Sequence, residues 1–475
     1  LTKTCKITIV DQVNVLITGI SDQIKKKLNE RLRWRHKSYF HSPKYKLGVW
    51  DGYINLFKNG WTYLNLLDDD IIDLIGNYGY DFEIVDQRNA EPHDIEPIDK
   101  DLFADYLWDH GKPVEIRDYQ VHAVNEIVDN PCGIFVMGTG AGKTLTTAAI
   151  AERFSDGKVI MIVPTIDLVQ QTAKSFRKVG LNVGEFYSEE KIVEDVTIST
   201  WQSLMNYPEI LEGCDCVIAD ECHEYTAREV FDLLTVAAKE VPHRYGFTGT
   251  LPKDDLGLNQ LRAALGPVLF EKAAWELQQE GYLAECHINI IQTVEEVTDF
   301  GKNSYKKEET VLLNNEPRTK FIADMITDIA ETGNTLVLVK YTKYGERLEG
   351  LIPDSVFMAG SGKNKVKSED RHVEYAKMNE EDNQVIICTY GIASTGIDIP
   401  RIFNLVIIDA GNSFTKVIQS IGRSLRRASD KDFAYIYDVC ANTKYSNRQK
   451  NNRIKYYKEA KYPYSMEKVK YEVSD

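Results

Sequence analysis

The chain has 475 residues, 43% of them hydrophobic and 27% charged, and carries a formal net charge of −15 at pH 7. It is too long for one core and calls for several domains of roughly 100 to 200 residues; its composition excludes extensive disorder, and its charge excludes a protein that coats nucleic acid over its whole surface. Eight cysteines in such a length make no disulfide framework, and the longest apolar runs (159–163, 336–339) are far too short to cross a bilayer. The start of the sequence shows neither an apolar h-region nor a cleavage site, so a cytoplasmic location is expected.

The first block, residues 1–111, opens with strand-like segments at 7–10 and 13–17, followed by a basic, helix-like stretch over 22–35. Apolar residues alternate about Asp51-Gly52 within 49–57, and Asp-Gly tolerates the positive φ angles of a tight turn, so a hairpin is expected there. Charge is segregated. Lys25, Lys26, Lys27, Arg31, Arg33, Arg35, Lys37, Lys44 and Lys46 crowd one stretch, acidic residues gather over 68–105, and the acidic, Pro-containing run 86–97 reads as a linker.

From Val114 the pattern changes to apolar strands alternating with helix-length segments, which implies parallel sheet with crossover helices. Strands are expected at 133–137, 159–163, 196–199, 214–219 and 245–247, and a second series at 335–339, 355–358, 385–388, 405–408 and 434–437. The expected fold is therefore α/β: two tandem parallel-sheet domains (112–284 and 317–475), joined by a connecting segment (285–316) and preceded by a small α+β N-terminal domain (1–111). The second domain ends in a basic, tyrosine-rich stretch over 444–470.

Three segments carry chemistry. The strand at 133–137 runs into Gly138-Thr139-Gly140-Ala141-Gly142-Lys143-Thr144 and then a helix-forming stretch. Glycines let backbone N–H groups close around phosphate oxygens at a helix N-terminus, Lys143 adds a cation for the β- and γ-phosphates, and the Thr144 hydroxyl suits Mg²⁺. The full G-x-x-x-x-G-K-T pattern would need Gly where the chain has Met137. A second strand ends in Asp220-Glu221-Cys222-His223, where Asp220 suits Mg²⁺ and Glu221 suits a base that orients and deprotonates a water. Cys214, Cys216, Cys222 and His223 lie close together but lack the paired C-x₂-C of a zinc knuckle. The third segment, Gln419 to Arg427, spaces Arg423 and Arg426 three apart on one helix face, where guanidinium groups suit a transferring γ-phosphoryl.

These segments resemble motifs I, II and VI of the superfamily 2 helicases, the first with a Walker A loop and the second with a DEAH-like box, and intervening matches follow in the family's order. The resemblance implies two RecA-like domains, ATP and Mg²⁺ as cofactors, catalytic roles for Lys143, Glu221, Gln419, Arg423 and Arg426, and an adenine-reading segment at Arg117 and Gln120. It implies nucleic-acid contacts from Pro164 and Thr165, from Thr200, Trp201 and Gln202, from Thr248 and Thr250, and from Thr389, with nucleotide sensing by Gly396 and Asp398. A narrower resemblance, carried by Lys46 to Leu56 with its Gly-Val-Trp-Asp-Gly core, is to the bacteriophage UvsW-type helicases. It implies a DNA helicase that branch-migrates forked DNA and Holliday junctions in recombination, repair or replication, placed in the cytoplasm of a host cell if phage-encoded. On that reading Lys26, Lys27, Arg31, Arg33, Arg35 and Trp50 join the nucleic-acid contacts, the partner is forked or four-way-junction DNA with no membrane, and a monomer suffices. An RNA helicase, a double-strand translocase and a non-hydrolysing nucleic-acid scaffold remain the rivals.

Overall fold

The computed structural model describes residues 3–88, 95–108, 111–301, 304–359, 368–394, 399–411, 421, 425 and 430–471. By internal contacts the chain divides into two compact units, one formed by 1–137 with 142–271 and the other by 138–141 with 272–475.

In the first unit, β1 (Lys3–Ile9), β2 (Asn14–Thr18), β5 (Trp61–Tyr63) and β6 (Tyr80–Asp86) make a mixed sheet in the order β5-β2-β1-β6, while β3 (Arg33–Arg35) and β4 (Tyr53–Asn55) pair as an antiparallel ribbon. The basic helix ends earlier than its charge pattern suggests. It spans Asp22–Arg31 and buries Ile24 and Leu28, after which Arg33–Arg35 become strand. The hairpin expected about Asp51-Gly52 is a correction: Tyr53–Asn55 pairs with Arg33–Arg35, and Gly52, at φ +85°, serves instead to let the Tyr39 ring lie against its backbone.

This small sheet shares one hydrophobic cluster with the helices beside the first parallel sheet, in which Tyr63 meets Phe231 edge-on at 5.5 Å. Polar ties reinforce the contact. The Gln12 N–H donates to the Lys239 carbonyl (3.0 Å), Asn14 Nδ2 to the Thr235 carbonyl (3.2 Å), and Lys37 pairs with Asp254 at 2.9 Å.

The first large sheet comprises β7 (Cys132–Met137), β8 (Val159–Val163), β9 (Val183–Phe186), β10 (Val196–Thr200), β11 (Cys216–Ala219), β12 (His243–Thr248) and β13 (Val268–Lys272), in the order β13-β7-β12-β11-β8-β10-β9. Strand β8 reads Val-Ile-Met-Ile-Val and is buried throughout, the continuous apolar run expected of a parallel strand covered on both faces. In the second unit β14 (Glu285–Thr293), β15 (Thr335–Val339), β16 (Ser355–Met358), β17 (Val385–Thr389), β18 (Asn404–Ile408), β19 (Phe433–Ala441) and β20 (Tyr464–Val469) form a second seven-stranded parallel sheet, ordered β16-β17-β15-β18-β19-β14-β20.

Part of the segment expected as a connection over 285–316 is regular structure. Its first nine residues are β14, in register with β19 over the full length, because alternate Cys286, Ile288 and Ile290 are buried in the sheet. The basic stretch over 444–470 is likewise built into the unit as helix Lys444–Glu459 and strand β20. Arg453 is buried in a two-bond pair with Asp438, 2.8 Å on each arm, and the Tyr457 hydroxyl donates to the same carboxylate at 2.8 Å. A second buried guanidinium, Arg318, forks onto Asp409 at 2.8 and 2.9 Å.

Candidate active site

Open parallel sheets bind ligands outside the carboxyl ends of their strands. The first sheet brings the decisive segments to that edge: the glycine loop follows β7, Asp220 and Glu221 follow β11, and Thr248 ends β12. Gly140 and Gly142 take φ of +86° and +76°, the left-handed region that a side chain resists. At Gly142 an added Cβ would also stand 2.4 Å from Gln120 Nε2. Helix Lys143–Arg153 starts at once, with the Leu145 and Thr146 N–H groups donating to the Gly142 carbonyl, so the loop opens onto the positive end of an eleven-residue helix. Thr144 is exposed at that end.

Glu221 sits at φ 49°, ψ 42°, a left-handed conformation for a non-glycine residue of the kind that concentrates at functional sites. Its two oxygens are divided. Oε1 lies 3.7 Å from Lys143 Nζ, and Oε2 lies 3.3 Å from His223 Nδ1. The same Nδ1 is 2.9 Å from Thr248 Oγ1, which donates its one hydrogen to the Thr250 carbonyl at 2.8 Å. The imidazole Nδ1 must therefore be the protonated nitrogen, donating toward Thr248 and facing Glu221. Lys143, Glu221, His223, Thr248 and Thr250 form one continuous polar chain across the ends of β7, β11 and β12.

Asp220 accepts the Glu221 N–H at 2.9 Å. Burial, with the Glu221 charge adding to it, pushes its carboxyl up to about 6, against a smaller opposing pull from Lys143. A carboxylate so placed is relieved by a hard divalent cation, and one carboxylate with the hydroxyl that follows the phosphate-loop lysine suits the way Mg²⁺ is held together with phosphates. The residues present thus fit Mg²⁺.

Gln120 is buried, with Oε1 accepting the Arg117 N–H (3.0 Å) and Nε2 donating to the Gly142 carbonyl (3.1 Å), so the side chain expected to read a base is tied to the phosphate loop. The Arg117 guanidinium donates to the Tyr119 hydroxyl at 2.9 Å.

The helicase conserved C-terminal domain model matches residues 318–428, and the model of the type III restriction enzyme res subunit matches 113–253. Over 457 residues the chain is 26% identical to the ATP-dependent DNA helicase uvsW of Enterobacteria phage T4, an alignment that takes in 90% of this chain and 89% of that one. The chain is a superfamily 2 helicase. It is also 23% identical over 379 residues to the DNA 3'-5' helicase XPB of Mycobacterium tuberculosis, with 75% of this chain and 66% of that one covered. In fold it matches the ATP-dependent Type ISP restriction-modification enzyme LlaBIII bound to DNA, at a TM-score of 0.58 and 15% identity, over 86% of this chain and 34% of that one.

In the helicase, Pro164 and Thr165 follow β8 and are partly exposed, and the Thr165 hydroxyl caps helix Ile166–Lys178 by accepting the Leu168 N–H. Thr200 is buried and caps helix Trp201–Asn206, leaving Trp201 partly exposed and Gln202 exposed. Thr248 is fully buried with its hydroxyl engaged by His223 and Thr250. Thr250 and Thr389 are partly exposed. Gly396, Asp398, Gln419, Arg423 and Arg426 lie outside the described residues.

Of the N-terminal basic residues, Lys26, Lys27 and Arg31 are exposed on one helix, with the Lys27 ammonium 5.0 Å from the Tyr78 ring centre. Arg33 pairs with Asp51 and stacks 3.8 Å over Tyr53, and Arg35 stacks over Tyr39 at 4.4 Å. Trp50 is half-buried, its indole N–H donating to the Tyr53 carbonyl at 2.7 Å. Sequence reasoning gave His223 no role, because its partner Thr248 is 25 residues away and meets it only through the pairing of β11 with β12.

Proposed function

We propose that this helicase couples ATP hydrolysis to the unwinding or branch migration of forked and four-way-junction DNA. The observation that carries the reading is the polar chain from Lys143 through Glu221 and His223 to Thr250 at the carboxyl edge of the first sheet. The choice of DNA, and of branched DNA, is supported by the likeness to the phage DNA helicase over 90% of this chain and 89% of that one.

In this account Lys143 and the N–H groups of the glycine loop cradle the β- and γ-phosphates, and Thr144 and Asp220 hold Mg²⁺, which when bound neutralises phosphate charge. Glu221 orients the attacking water and takes its proton, its carboxylate fixed between Lys143 and His223. By the family resemblance, Arg423 and Arg426 stabilise charge on the transferring phosphoryl group, with Gln419, Gly396 and Asp398 completing the response to nucleotide. His223 and Thr248 pass any shift of Glu221 to the Thr250 loop, so the state of the nucleotide alters the grip on the strand. Thr165, Trp201, Gln202, Thr250 and Thr389 hold backbone phosphates, a grip that is electrostatic and blind to sequence.

The direct test compares ATPase stimulation by forked DNA, plain duplex and structured RNA at equal nucleotide concentration. Greatest stimulation by the fork is expected; preferential stimulation by RNA would replace the reading with that of an RNA helicase.

A further inference from the structure

Residues 31–50 read Arg-Leu-Arg-Trp-Arg-His-Lys-Ser-Tyr-Phe-His-Ser-Pro-Lys-Tyr-Lys-Leu-Gly-Val-Trp: six Arg or Lys, five Trp, Tyr or Phe, and no acid, in a chain whose net charge is −15. Most of this stretch lies in the excursion between β3 and β4. Its base is closed by the His36 N–H donating to the Gly52 carbonyl at 2.9 Å, and its interior is aromatic, with Tyr39 edge-on to Tyr45 at 4.6 Å and in contact with Gly52. Val49 N–H returns to the Lys44 carbonyl at 2.9 Å, and Lys37 fastens the excursion to Asp254, the cap of helix Asp255–Leu265. The excursion is thus a held projection of the first unit.

Its outward side chains are the wrong kind for water. Leu47 and Val49 are each 77% exposed and Phe40 is 51% exposed, while Trp50 is turned inward. Arg35, Lys44 and Lys46 stand exposed around them. Three apolar side chains are too few for a stable protein interface, which buries about 800 Å² on each partner. An apolar tip ringed by cations instead matches the chemistry of a nucleic-acid branch point, where a base pair presents an apolar stacking face between two phosphate backbones. Apolar side chains that enter such a step unstack it, at a few kcal/mol per step.

We propose that residues 36–52 are a branch-point wedge: Phe40, Leu47 and Val49 press against the last base pair of the duplex while Arg35, Lys44 and Lys46 hold the phosphates of the diverging strands. This rests on the reading of the protein as a DNA helicase, and it gives the stacking role to the tip rather than to Trp50, whose indole is tied to Tyr53.

The test uses the full chain and a DNA fork carrying 2-aminopurine at its first paired position. Binding of the unaltered protein should raise the fluorescence several-fold as that base unstacks. The variant Phe40→Ala/Leu47→Ala/Val49→Ala removes only exposed side chains. It should abolish that rise and slow strand displacement about tenfold or more, while ATP hydrolysis on single-stranded DNA stays within about twofold of the unaltered rate. The separate variant Lys44→Ala/Lys46→Ala should keep the fluorescence rise at saturation but flatten the slope of log K against log salt by about 1.8, near 0.9 for each phosphate no longer neutralised. A triple variant that unstacks the base and displaces the strand like the unaltered protein overturns the wedge. If instead the unaltered protein displaces no strand from any DNA, the helicase reading beneath it has failed.

Discussion

Asp220 is held against its own ionisation, and replacing it with Asn should make the nucleotide-free protein more stable. In the folded chain its carboxyl is raised from 3.8 to about 6, chiefly by burial and secondarily by Glu221. A shift of about two pH units at about 1.4 kcal/mol per unit sets a ceiling near 3 kcal/mol on the folding free energy lost at neutral pH, and the coupling to Glu221 brings the expected value to roughly 1–3 kcal/mol. The sign follows from proton counts. Between about pH 4 and 6 the folded chain holds a proton that the unfolded chain has released, so stability falls as pH rises through that window and stays low above it. Asp220→Asn keeps a carbonyl oxygen for the Glu221 N–H and removes the charge. In EDTA at pH 7.5 its first thermal transition should lie about 2–12 °C above that of the unaltered chain, at roughly 2–4 °C per kcal/mol for a unit of this size, and the gain should shrink to about half at pH 5. Adding Mg²⁺ and ATP should reverse the order, because only the carboxylate gains from the cation. A variant no more stable than its parent at pH 7.5, or one whose gain is undiminished at pH 5, would mean that the Asp220 charge carries no folding cost.

Glu221→Gln should bind ATP near normally yet hydrolyse it roughly 10²- to 10⁴-fold more slowly, the usual loss for a general base, whereas Lys143→Ala should also weaken nucleotide binding in a direct titration. Arg423→Ala and Arg426→Ala should each lower kcat far more than they raise the dissociation constant for ATP, since the charge they meet develops in the transition state; an affinity loss with kcat intact would make them ground-state ligands. Arg453→Met should destabilise the second unit by about 3–5 kcal/mol by leaving Asp438 buried without its partner, and Arg453→Met with Asp438→Val should recover much of that in chemical denaturation.

Strands such as Val159–Val163 and Thr335–Val339 were legible from sequence because a parallel strand covered on both faces is an unbroken apolar run, and a run of that length admits few other readings. Strand β14 was not, since Glu-Cys-His-Ile-Asn-Ile alternates like a half-exposed edge strand and only its pairing with β19 and β20 makes it internal. The Asp51-Gly52 hairpin failed for a related reason. A turn signal states where the chain bends, and the partner strand, Arg33–Arg35, lies on the far side of an excursion that sequence spacing does not reveal. The placement of Lys143, Asp220 and Glu221 after their strands was readable because each is fixed by its immediate neighbours. The role of His223 and the burial of Thr248 were not, because both depend on two strands meeting in register. One clue was available for the buried Arg453: an isolated Asp438 in the apolar run Phe433–Ala441 requires a cation, and only the basic stretch after 444 follows it closely.

If ATP hydrolysis at Lys143 and Glu221 drives the opening of branched DNA, displacement of a labelled strand from fork, overhang and four-way-junction substrates will show it. With Mg²⁺ and ATP the full chain should release the strand from the fork and resolve the four-way junction, and Glu221→Gln should do neither while still binding both. Release that proceeds equally without ATP, or ATP hydrolysis stimulated by these DNAs with no strand released and no junction moved, would contradict the account.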